Sequence, residues 1–272
     1  MILRHSREPI DGQPTENTFV AIDERSGELL GSAVIYVEEK PVMYPIRPLQ
    51  VCLRLDRTPV PDALMGAAVA RAKEICVRSG KFCRIYARVA PEDAEALSAL
   101  TAMGFVDNDG LIRMQMRLPT ERDFPRPENA EIVYDDLSDS LEQKYFLERY
   151  NRLYNTDHDT DWLTDYIDRR SFQRILLLSD DGVMAEALTW REGYAGIIGY
   201  FQTTKRWRRM GAGKYLLSLA CDRFEQQNLY CAEANIRARF PHALKLMQSV
   251  GFSQAELLMR YPGIDVNPRE SN

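Results

Sequence analysis

The chain matches itself when it is shifted by 147 residues. The positions that keep their residue include Gly66 and Gly213, Ala96 and Ala243, and Gly104-Phe105 and Gly251-Phe252. No gap is needed between them, and each copy ends with an apolar helix pattern, Gly-Phe and a strand pattern. A constant register of this kind indicates a duplicated domain. The chain is therefore expected to hold two copies of one fold.

The predicted elements agree with this duplication, because both halves end in the order hairpin, strand, helix, strand, helix, strand. In the first half the patterns predict strands at 2–4, 18–23, 29–38, 49–55, 82–89 and 111–118 and helices at 62–79 and 91–103. In the second half they predict strands at 131–134, 173–178, 183–191, 195–201, 229–236 and 254–261 and helices at 140–154, 161–170, 215–227 and 241–250.

A stretch rich in proline separates the halves. Residues 119–128 include Pro119, Pro125 and Pro127, a composition typical of a linker. We therefore expect a first domain at 1–118, a linker at 119–128 and a second domain at 129–272.

The composition is that of an ordinary globular chain, with 45% hydrophobic and 28% charged residues. No apolar run reaches the roughly 18 residues of a membrane span, and residues 1–5 lack an export signal, so we expect a cytoplasmic protein. The net charge of -5 argues against nucleic acid as a partner. The five cysteines form no Cys-x-x-Cys pair, which favours buried thiols and no metal site.

One basic segment stands out against the acidic chain. Residues 203–214 read Thr-Thr-Lys-Arg-Trp-Arg-Arg-Met-Gly-Ala-Gly-Lys, with five cations and no carboxylate, between a strand and a helix pattern. Gly211 and Gly213 allow a tight turn with inward backbone amides, and the following helix adds its positive end. This arrangement predicts a phosphate-binding loop. It matches neither a Walker loop nor the dinucleotide Gly-x-Gly-x-x-Gly.

The spacing Arg208-x-x-Gly211-x-Gly213, followed by Ala243, Leu246, Gly251 and Phe252, resembles the GNAT superfamily of N-acetyltransferases. The resemblance is good over 131–261 and covers 2–118 in its C-terminal part. It implies an α/β (α+β) fold with two tandem GNAT-like domains, each a mixed, mostly antiparallel central sheet flanked by helices.

The resemblance also implies a co-substrate, acetyl-CoA, and the residues that hold it. Its pantetheine arm would pair with the strand near Phe201 and Thr203, and an amide near Thr203 would polarise the thioester oxygen. The expected pyrophosphate-binding residues are Arg208, Arg209, Met210, Gly211, Ala212, Gly213 and Lys214.

The first half lacks these features. Pro61, Leu64 and Gly66 stand at the positions of Arg208, Gly211 and Gly213. Proline has no amide N–H and leucine avoids a positive φ, so the loop is broken there. Residues 6–17 show no helix pattern where the family has two helices above the acceptor pocket. We expect the first domain to be a degenerate, non-catalytic copy that packs against the second domain or shapes its cleft.

The sequence offers several candidates for the catalytic acid and base. The family's usual general acid is a tyrosine at the position of Met247, which cannot donate a proton. Glu192 and Glu233 are candidate bases, as is Glu186, and Tyr200 or Tyr215 is a candidate acid. A plain surface role is the alternative for each carboxylate. His242 is expected to interact locally at its helix start.

The connection at 155–161 is rich in aspartate, which would either attract a cationic amine or cap the helix through Asp159 or Thr160. The sequence thus predicts an enzyme that transfers acetyl from acetyl-CoA to a primary amine of a small molecule or peptide by direct attack in a ternary complex. A CoA-binding pseudo-enzyme and a transferase of longer acyl or aminoacyl groups are the alternatives.

Overall fold

The computed structural model describes residues 1–56 and 61–269 and contains two β-sheets with flanking helices. The strands are β1 (Ile2–His5), β2 (Thr18–Ile22), β3 (Leu29–Glu39), β4 (Leu49–Asp56), β5 (Cys83–Ala87), β6 (Gly110–Arg117), β7 (Glu131–Asp135), β8 (Gln173–Ser179), β9 (Gly182–Glu192), β10 (Ala195–Thr203), β11 (Cys231–Arg237), β12 (Ser253–Arg260) and β13 (Gly263–Val266). The helices are α1 (Asp62–Ser79), α2 (Ala94–Ala102), α3 (Ser140–Tyr154), α4 (Thr160–Ile167), α5 (Ala212–Gln226) and α6 (Pro241–Val250).

The first compact unit comprises residues 1–110, 152–156 and 258–272, of which 57–60 and 270–272 are outside the described residues. Its sheet has the order β1-β2-β3-β4-β5-β13. Leu64, Ala68 and Ala72 recur at helical spacing along α1 and are fully buried against this sheet. Residues 6–17 contain one 3-10 turn, Thr15–Asn17, and no α-helix, as the sequence predicts.

The second compact unit comprises residues 111–151 and 157–257. Its sheet has the order β12-β6-β11-β10-β9-β8-β7, and β10 and β11 are parallel while their other neighbours β9 and β6 are antiparallel. The buried residues of α5, including Leu216, Ala220 and Phe224, pack in the main core with Ala185 and Ala187 of β9. Helices α3 and α4 cover the opposite face of the sheet.

The two sheets exchange their closing strands. Strand β6 was expected to close the first half, but it lies between β11 and β12 in the second sheet, paired along its length with β11. In the first sheet the corresponding place beside β5 is taken by β13, from the end of the chain, which the sequence did not predict as a strand. The alternation of β6 suits a sheet with one buried face, and Ile112, Met114 and Met116 bury that face in the second core.

The segment expected as a linker, 119–128, is packed rather than free over part of its length. The side chain of Arg122 is 2% exposed and its Nη2 donates to Asp222 and Glu225 of α5, at 2.8 and 2.6 Å. Phe124 packs against the core of the second unit. This proline-rich segment therefore lies along α5, because Arg122 and Phe124 contact side chains of that helix.

The cysteines only partly follow the expectation of buried thiols. Cys76, in the last turn of α1, forms a disulfide with Cys83 at the start of β5. Cys52 and Cys221 are buried thiols, and Cys231 is half-buried. Burial raises the pKa of the Cys221 thiol to about 12. The sequence did not predict the disulfide because seven residues separate its cysteines and only the turn at Gly80 brings them together.

Candidate functional site

The parallel strands β10 and β11 separate in the middle of the second sheet. They pair only through Ala195–Ile197 and Cys231–Glu233, although β10 continues to Thr203 and β11 to Arg237. The corresponding strands of the first unit, β4 and β5, pair along the whole of β5. Among the described residues, the second sheet therefore has an opening between β10 and β11 where their backbone groups face no neighbouring strand, whereas β5 is paired with β4 along its whole length.

A β-bulge in β10 accompanies this opening. The register with β9 shifts between Ile198 and Tyr200, so Gly199 is the extra residue. A Cβ atom at Gly199 would lie 1.7 Å from the indole of Trp190, so no other residue fits there. The bulge turns Tyr200 toward α3, where its ring contacts those of Phe146 and Tyr150, with centroids 5.6 Å apart in each case.

The basic loop connects the open end of β10 to α5. Thr204 N–H donates to the Met184 carbonyl, and Arg208 Nε donates to the Thr203 carbonyl at 3.2 Å. Arg209 and Gly211 then take positive φ values of 66° and 85°, and Gly211 is the residue before the first turn of α5. Left-handed backbone at two nearby residues makes the chain reverse sharply, so that the helix begins beside the strand it follows.

The first turn of α5 offers free backbone donors. The first hydrogen bond into the helix runs from Tyr215 N–H to the Gly211 carbonyl, so the amides of Ala212, Gly213 and Lys214 precede any intrahelical acceptor. Gly213 also needs to be glycine, since a Cβ there would lie 2.9 Å from Thr203 Oγ1 and 3.0 Å from Leu246 Cδ2. Amides of this kind at a positive helix end fit a pyrophosphate.

The cations of the loop are mostly unpaired. Arg206 forms an ion pair of 2.7 Å with Asp181 and lies over the ring of Trp207. Lys205, Arg209 and Lys214 form no ion pair within residues 1–56 and 61–269. Lys214 lies over the ring of Phe124, with Nζ 5.7 Å from its centroid. Asp181 thus offsets the charge of Arg206, and the charges of Lys205, Arg209 and Lys214 keep the loop positive, as the sequence predicts.

The described part of the matching segment in the first unit, Asp56 and 61–67, shows no basic loop of this kind. Helix α1 begins directly after Pro61, and the amides of Leu64 and Met65 already donate to the Pro61 carbonyl. The side chain of Leu64 is fully buried in the core. Part of the segment before it, 57–60, lies outside the described residues. The amides that remain free at the start of α5 correspond to those of residues 65–67, which already lie inside α1, where Met65 N–H donates to the Pro61 carbonyl.

Met247 is part of the core. It is fully buried, and its carbonyl accepts a hydrogen bond from Phe252 N–H, which ends α6. At this position the GNAT superfamily usually has a tyrosine, whereas this chain has a methionine that packs in the apolar core. Tyr215, also considered as an acid, packs against the same core from α5.

Two of the candidate carboxylates are engaged elsewhere. Glu192 pairs with Ala195 at the start of β10, about 26 Å along the strand from Thr203 at roughly 3.3 Å per residue. It accepts a hydrogen bond from Trp190 Nε1 at 2.7 Å and pairs with Arg169 at 3.2 Å. Glu192 therefore lies at the end of β10 opposite the loop.

Glu233 lies at the point where β10 and β11 separate. Its register partners are Ile197 in β10 and Gln115 in β6, and the Gln115 amide donates to it at 2.9 Å. Arg113 adds an ion pair at 3.7 Å. The exchanged strand β6 thus holds this carboxylate in place.

Glu186 is the candidate carboxylate with the most unusual environment. It is 3% exposed and lies opposite Gln202, one residue from Thr203. Arg149 from α3 donates to it at 2.7 Å, and Arg174 lies 3.6 Å away. Burial raises the pKa of Glu186, and the two guanidinium groups oppose this shift. Nothing in the sequence pattern indicated the Arg149 partner, which depends on how α3 crosses the sheet.

Tyr200 remains near the loop end of the strand. Its hydroxyl donates to Gln202 Oε1 at 2.6 Å, and its ring is 7% exposed. Gln202 lies opposite Glu186 in the pairing of β10 with β9. Of the catalytic candidates, Tyr200, Glu186 and Glu233 lie on the face of the sheet under α3 and α4, and Glu192 lies away from the loop.

The connection between α3 and α4 carries a cap and an aromatic cluster. The Asp159 carboxylate accepts a hydrogen bond from Trp162 N–H at 3.1 Å, so the expected capping role is confirmed. Rings of both helices and of the sheet form a continuous set of contacts, namely Phe146, Tyr150, His158, Trp162, Tyr166, Trp190 and Tyr200. Sequence reasoning did not single out His158 or Trp162, since their proximity arises only from the turn between the helices.

Two further structural findings concern membranes and metals. Across the residues that the structure describes, none of the helices has the length and apolar character needed to cross a bilayer. Among those same residues, no group of three or more histidine, cysteine, aspartate or glutamate side chains is arranged to hold a metal ion.

Comparison with known proteins gave three findings. Residues 133–252 match the family model of the acetyltransferase (GNAT) family. No curated protein matches the chain. Among solved structures, the chain is similar in fold to a GCN5-related N-acetyltransferase from Sphaerobacter thermophilus, with 16% identity, 94% of this chain and 82% of that chain covered, and a TM-score of 0.54.

A second solved structure extends the same likeness. It is a conserved protein of unknown function from Enterococcus faecalis V583, a probable N-acyltransferase, with 11% identity and a TM-score of 0.55. The match covers 92% of this chain and 62% of that one. The family model covers the second half of the chain, and the two structural matches cover nearly all of it.

Proposed function

Because this chain belongs to the GNAT superfamily of N-acetyltransferases and folds as tandem GNAT-like domains, we propose that its second domain transfers an acetyl group from acetyl-CoA to a primary amine. The observation that carries the proposal is the separation of β10 from β11 directly beside the basic loop. Within residues 1–56 and 61–269, only the second unit combines an unpaired strand edge with free helix amides beside a basic loop, so we assign the activity to it.

The residues of this domain fit the co-substrate. The amides of Ala212, Gly213 and Lys214 would bind the pyrophosphate, with Arg208 and Arg209 beside them. The unpaired edge of β10, from Phe201 to Thr203, would pair with the amide groups of the pantetheine arm as a neighbouring strand would. Acetyl-CoA supplies the activated acyl group as a thioester.

The chemistry left to the protein is positioning and proton transfer. A backbone amide near Thr203 would donate to the thioester oxygen and stabilise the charge that develops there. The amine attacks the carbonyl carbon, the C–N bond forms, and the C–S bond breaks with its electron pair on sulfur. The thiolate then takes a proton. Tyr200 is our proposed donor because it lies on β10 next to Phe201, whereas Met247 is buried and has no proton to give.

Met247 also favours a second candidate function, a CoA-binding protein without turnover. A tyrosine replaced by a fully buried methionine removes the family's usual general acid from the site. A thiol with a pKa near 8.5 is an adequate leaving group without assistance, which is why we place the enzyme first. Both functions require acetyl-CoA to bind, and only the enzyme releases free thiol.

Binding is tested with a matched pair of glycine variants. Gly213→Ala puts a Cβ atom 2.9 Å from Thr203 Oγ1 and 3.0 Å from Leu246 Cδ2, and should weaken acetyl-CoA binding at least tenfold by displacing the loop. Gly66→Ala makes the same change at the register-equivalent position in α1, where nothing lies within 4 Å, and should leave binding unchanged. Isothermal titration calorimetry measures both. Absence of binding to the unaltered protein would refute both functions.

Turnover is tested by measuring free thiol release with a panel of small primary amines and amine-bearing peptides. The enzyme should release thiol in proportion to acetylated amine, which mass spectrometry detects. Binding of acetyl-CoA without amine-dependent release would instead support the non-catalytic function. Equal loss of binding in Gly66→Ala and Gly213→Ala would contradict our assignment of the active half.

A further inference from the structure

The side chain of His158 is held in a defined place between α3 and α4. Its imidazole stacks on the indole of Trp162, with ring centroids 4.2 Å apart and planes 9° from parallel. The Asn151 side chain fixes the backbone from both sides, because its amide donates to the His158 carbonyl at 2.8 Å and its oxygen accepts from His158 N–H at 3.0 Å. Two backbone hydrogen bonds and one ring stack therefore position this loop residue.

This imidazole is connected to the proposed reaction site by aromatic contacts. The ring of Tyr150 lies 5.8 Å from the His158 ring and 5.6 Å from the ring of Tyr200. Tyr200 precedes Phe201, where the unpaired edge of β10 begins to follow the expected co-substrate. His158 is half-buried, so its side chain is partly accessible to solvent.

The carboxylates of the site are already committed to other groups. Glu186 is ion-paired with Arg149, Glu192 with Arg169, and Glu233 accepts from the Gln115 amide. A proton on any of these carboxylates would weaken the contact that its charged form makes with the present partner. The ring nitrogens of His158 form no hydrogen bond or ion pair within residues 1–56 and 61–269. An imidazole also titrates close to neutral pH, which suits a general base.

The groups around the ring are compatible with proton uptake. Helix α3 contributes the phenol of Tyr150, and α4 contributes the uncharged indole of Trp162. From β10 the nearest ionisable group is Tyr200, beyond Tyr150, and its hydroxyl donates to Gln202. Asp157 and Asp159 flank the residue in sequence, with the Asp159 carboxylate bonded to Trp162 N–H.

We propose that His158 is the general base of the acetyl transfer, an inference that rests on the function proposed above. Its unprotonated ring nitrogen takes one proton from the acceptor ammonium group. The lone pair that is freed on nitrogen forms the C–N bond to the acetyl carbon as the C–S bond breaks. The departing thiolate takes its proton from the Tyr200 hydroxyl, the second proton lost by the amine nitrogen restores that hydroxyl, and the imidazolium returns its proton to solvent.

The test compares variants of the full-length protein. His158→Phe keeps an aromatic ring on Trp162 but has no proton acceptor, and should lower kcat at least 100-fold, the lower end of a general acid–base contribution. Its affinity for acetyl-CoA by calorimetry should stay within about twofold of the unaltered protein. An acid limb in the pH profile of kcat/KM of the unaltered protein should disappear in this variant.

His158→Ala provides a second measurement that does not depend on the stack. Added imidazole should restore part of its activity in a concentration-dependent way, which a purely structural role does not allow. His5→Gln and His242→Gln change the other two histidines of the chain and should leave the pH profile unaltered.

The outcomes separate the two levels of the proposal. If the unaltered protein binds acetyl-CoA and acetylates no amine, the proposed enzyme function is wrong and this inference is overturned with it. If the unaltered protein turns over and His158→Phe keeps both its kcat and its acid limb, only the role of His158 is wrong. Loss of kcat without rescue by imidazole in His158→Ala, and with an unchanged acid limb in His158→Phe, would also overturn it.

Discussion

Strand β6 should decide whether the second unit folds, although it precedes the linker along the chain. The perturbation is a pair of fragments, 110–260 and 119–260, which differ only by β6 and Leu118. The side chains that this segment buries in the second core are Ile112, Met114, Met116 and Leu118. At about 1.5–3 kcal/mol for each, their burial contributes about 6–12 kcal/mol. That equals most of the 5–15 kcal/mol by which a typical domain is stable.

The backbone makes the loss larger. Without β6, the edge of β11 from Cys231 to Arg237 loses the partner that satisfies its amides and carbonyls, and β12 loses its neighbour as well. We therefore expect fragment 110–260 to unfold cooperatively in urea and fragment 119–260 to be unfolded or aggregated. The fragment 129–272, which corresponds to the expected second domain, lacks the same strand and should behave like 119–260.

Tryptophan fluorescence is the assay of choice because all three tryptophans, Trp162, Trp190 and Trp207, lie in the second unit. The same signal can be followed in the full-length chain, where Met114→Ala should lower the free energy of unfolding of this unit by about 2–5 kcal/mol. If the free energy of unfolding of fragment 119–260 lies within about 2 kcal/mol of that of fragment 110–260, the contribution assigned to β6 is wrong. If neither fragment folds, the second unit is not self-sufficient even with its exchanged strand.

Three further predictions concern local features. Gly211→Ala should lower the free energy of unfolding by about 1–2 kcal/mol, because alanine must adopt the left-handed backbone at φ 85°. No atom lies within 4 Å of the added Cβ, so the cost comes from the backbone alone, and a lower Tm in thermal unfolding measures it. Titration of the unreduced, denatured protein with Ellman's reagent should give three thiols, rising to five after reduction of the Cys76–Cys83 disulfide. In the folded protein at pH 8 the Cys221 thiol, with a pKa of about 12, should not react. Asp159→Ala should lower stability by about 1 kcal/mol through loss of the α4 cap, and a Tm equal to that of the unaltered protein would contradict this.

Local elements were largely predictable from the sequence. Helices 62–79, 140–154 and 241–250 were predicted with their observed limits. Apolar residues at helical spacing indicated the extent of each helix, and a proline before or at the first turn marked where two of them begin. The basic loop was also predictable, since Gly211 and Gly213 act through backbone geometry that depends only on nearby residues.

The catalytic groups were much less predictable. The candidates Glu192 and Glu233 were chosen for lying near strand ends, yet the position of Glu192 at the end of β10 away from the loop follows from the register of a hairpin. The partners of Glu186 come from two different elements, α3 and β8, so no pattern along the chain could have revealed them.

The sequence by itself determined the duplication, the loop and the half that carries it, because each of these depends on residues close together or on a constant register. Only the tertiary structure decided which sheet receives β6 and β13. An alternating strand fits any open sheet edge of matching polarity, and the choice depends on which edge and core are available in three dimensions. The same holds for His158, whose stacking on Trp162 and contact with Tyr150 exist only because α3 and α4 turn back over the sheet.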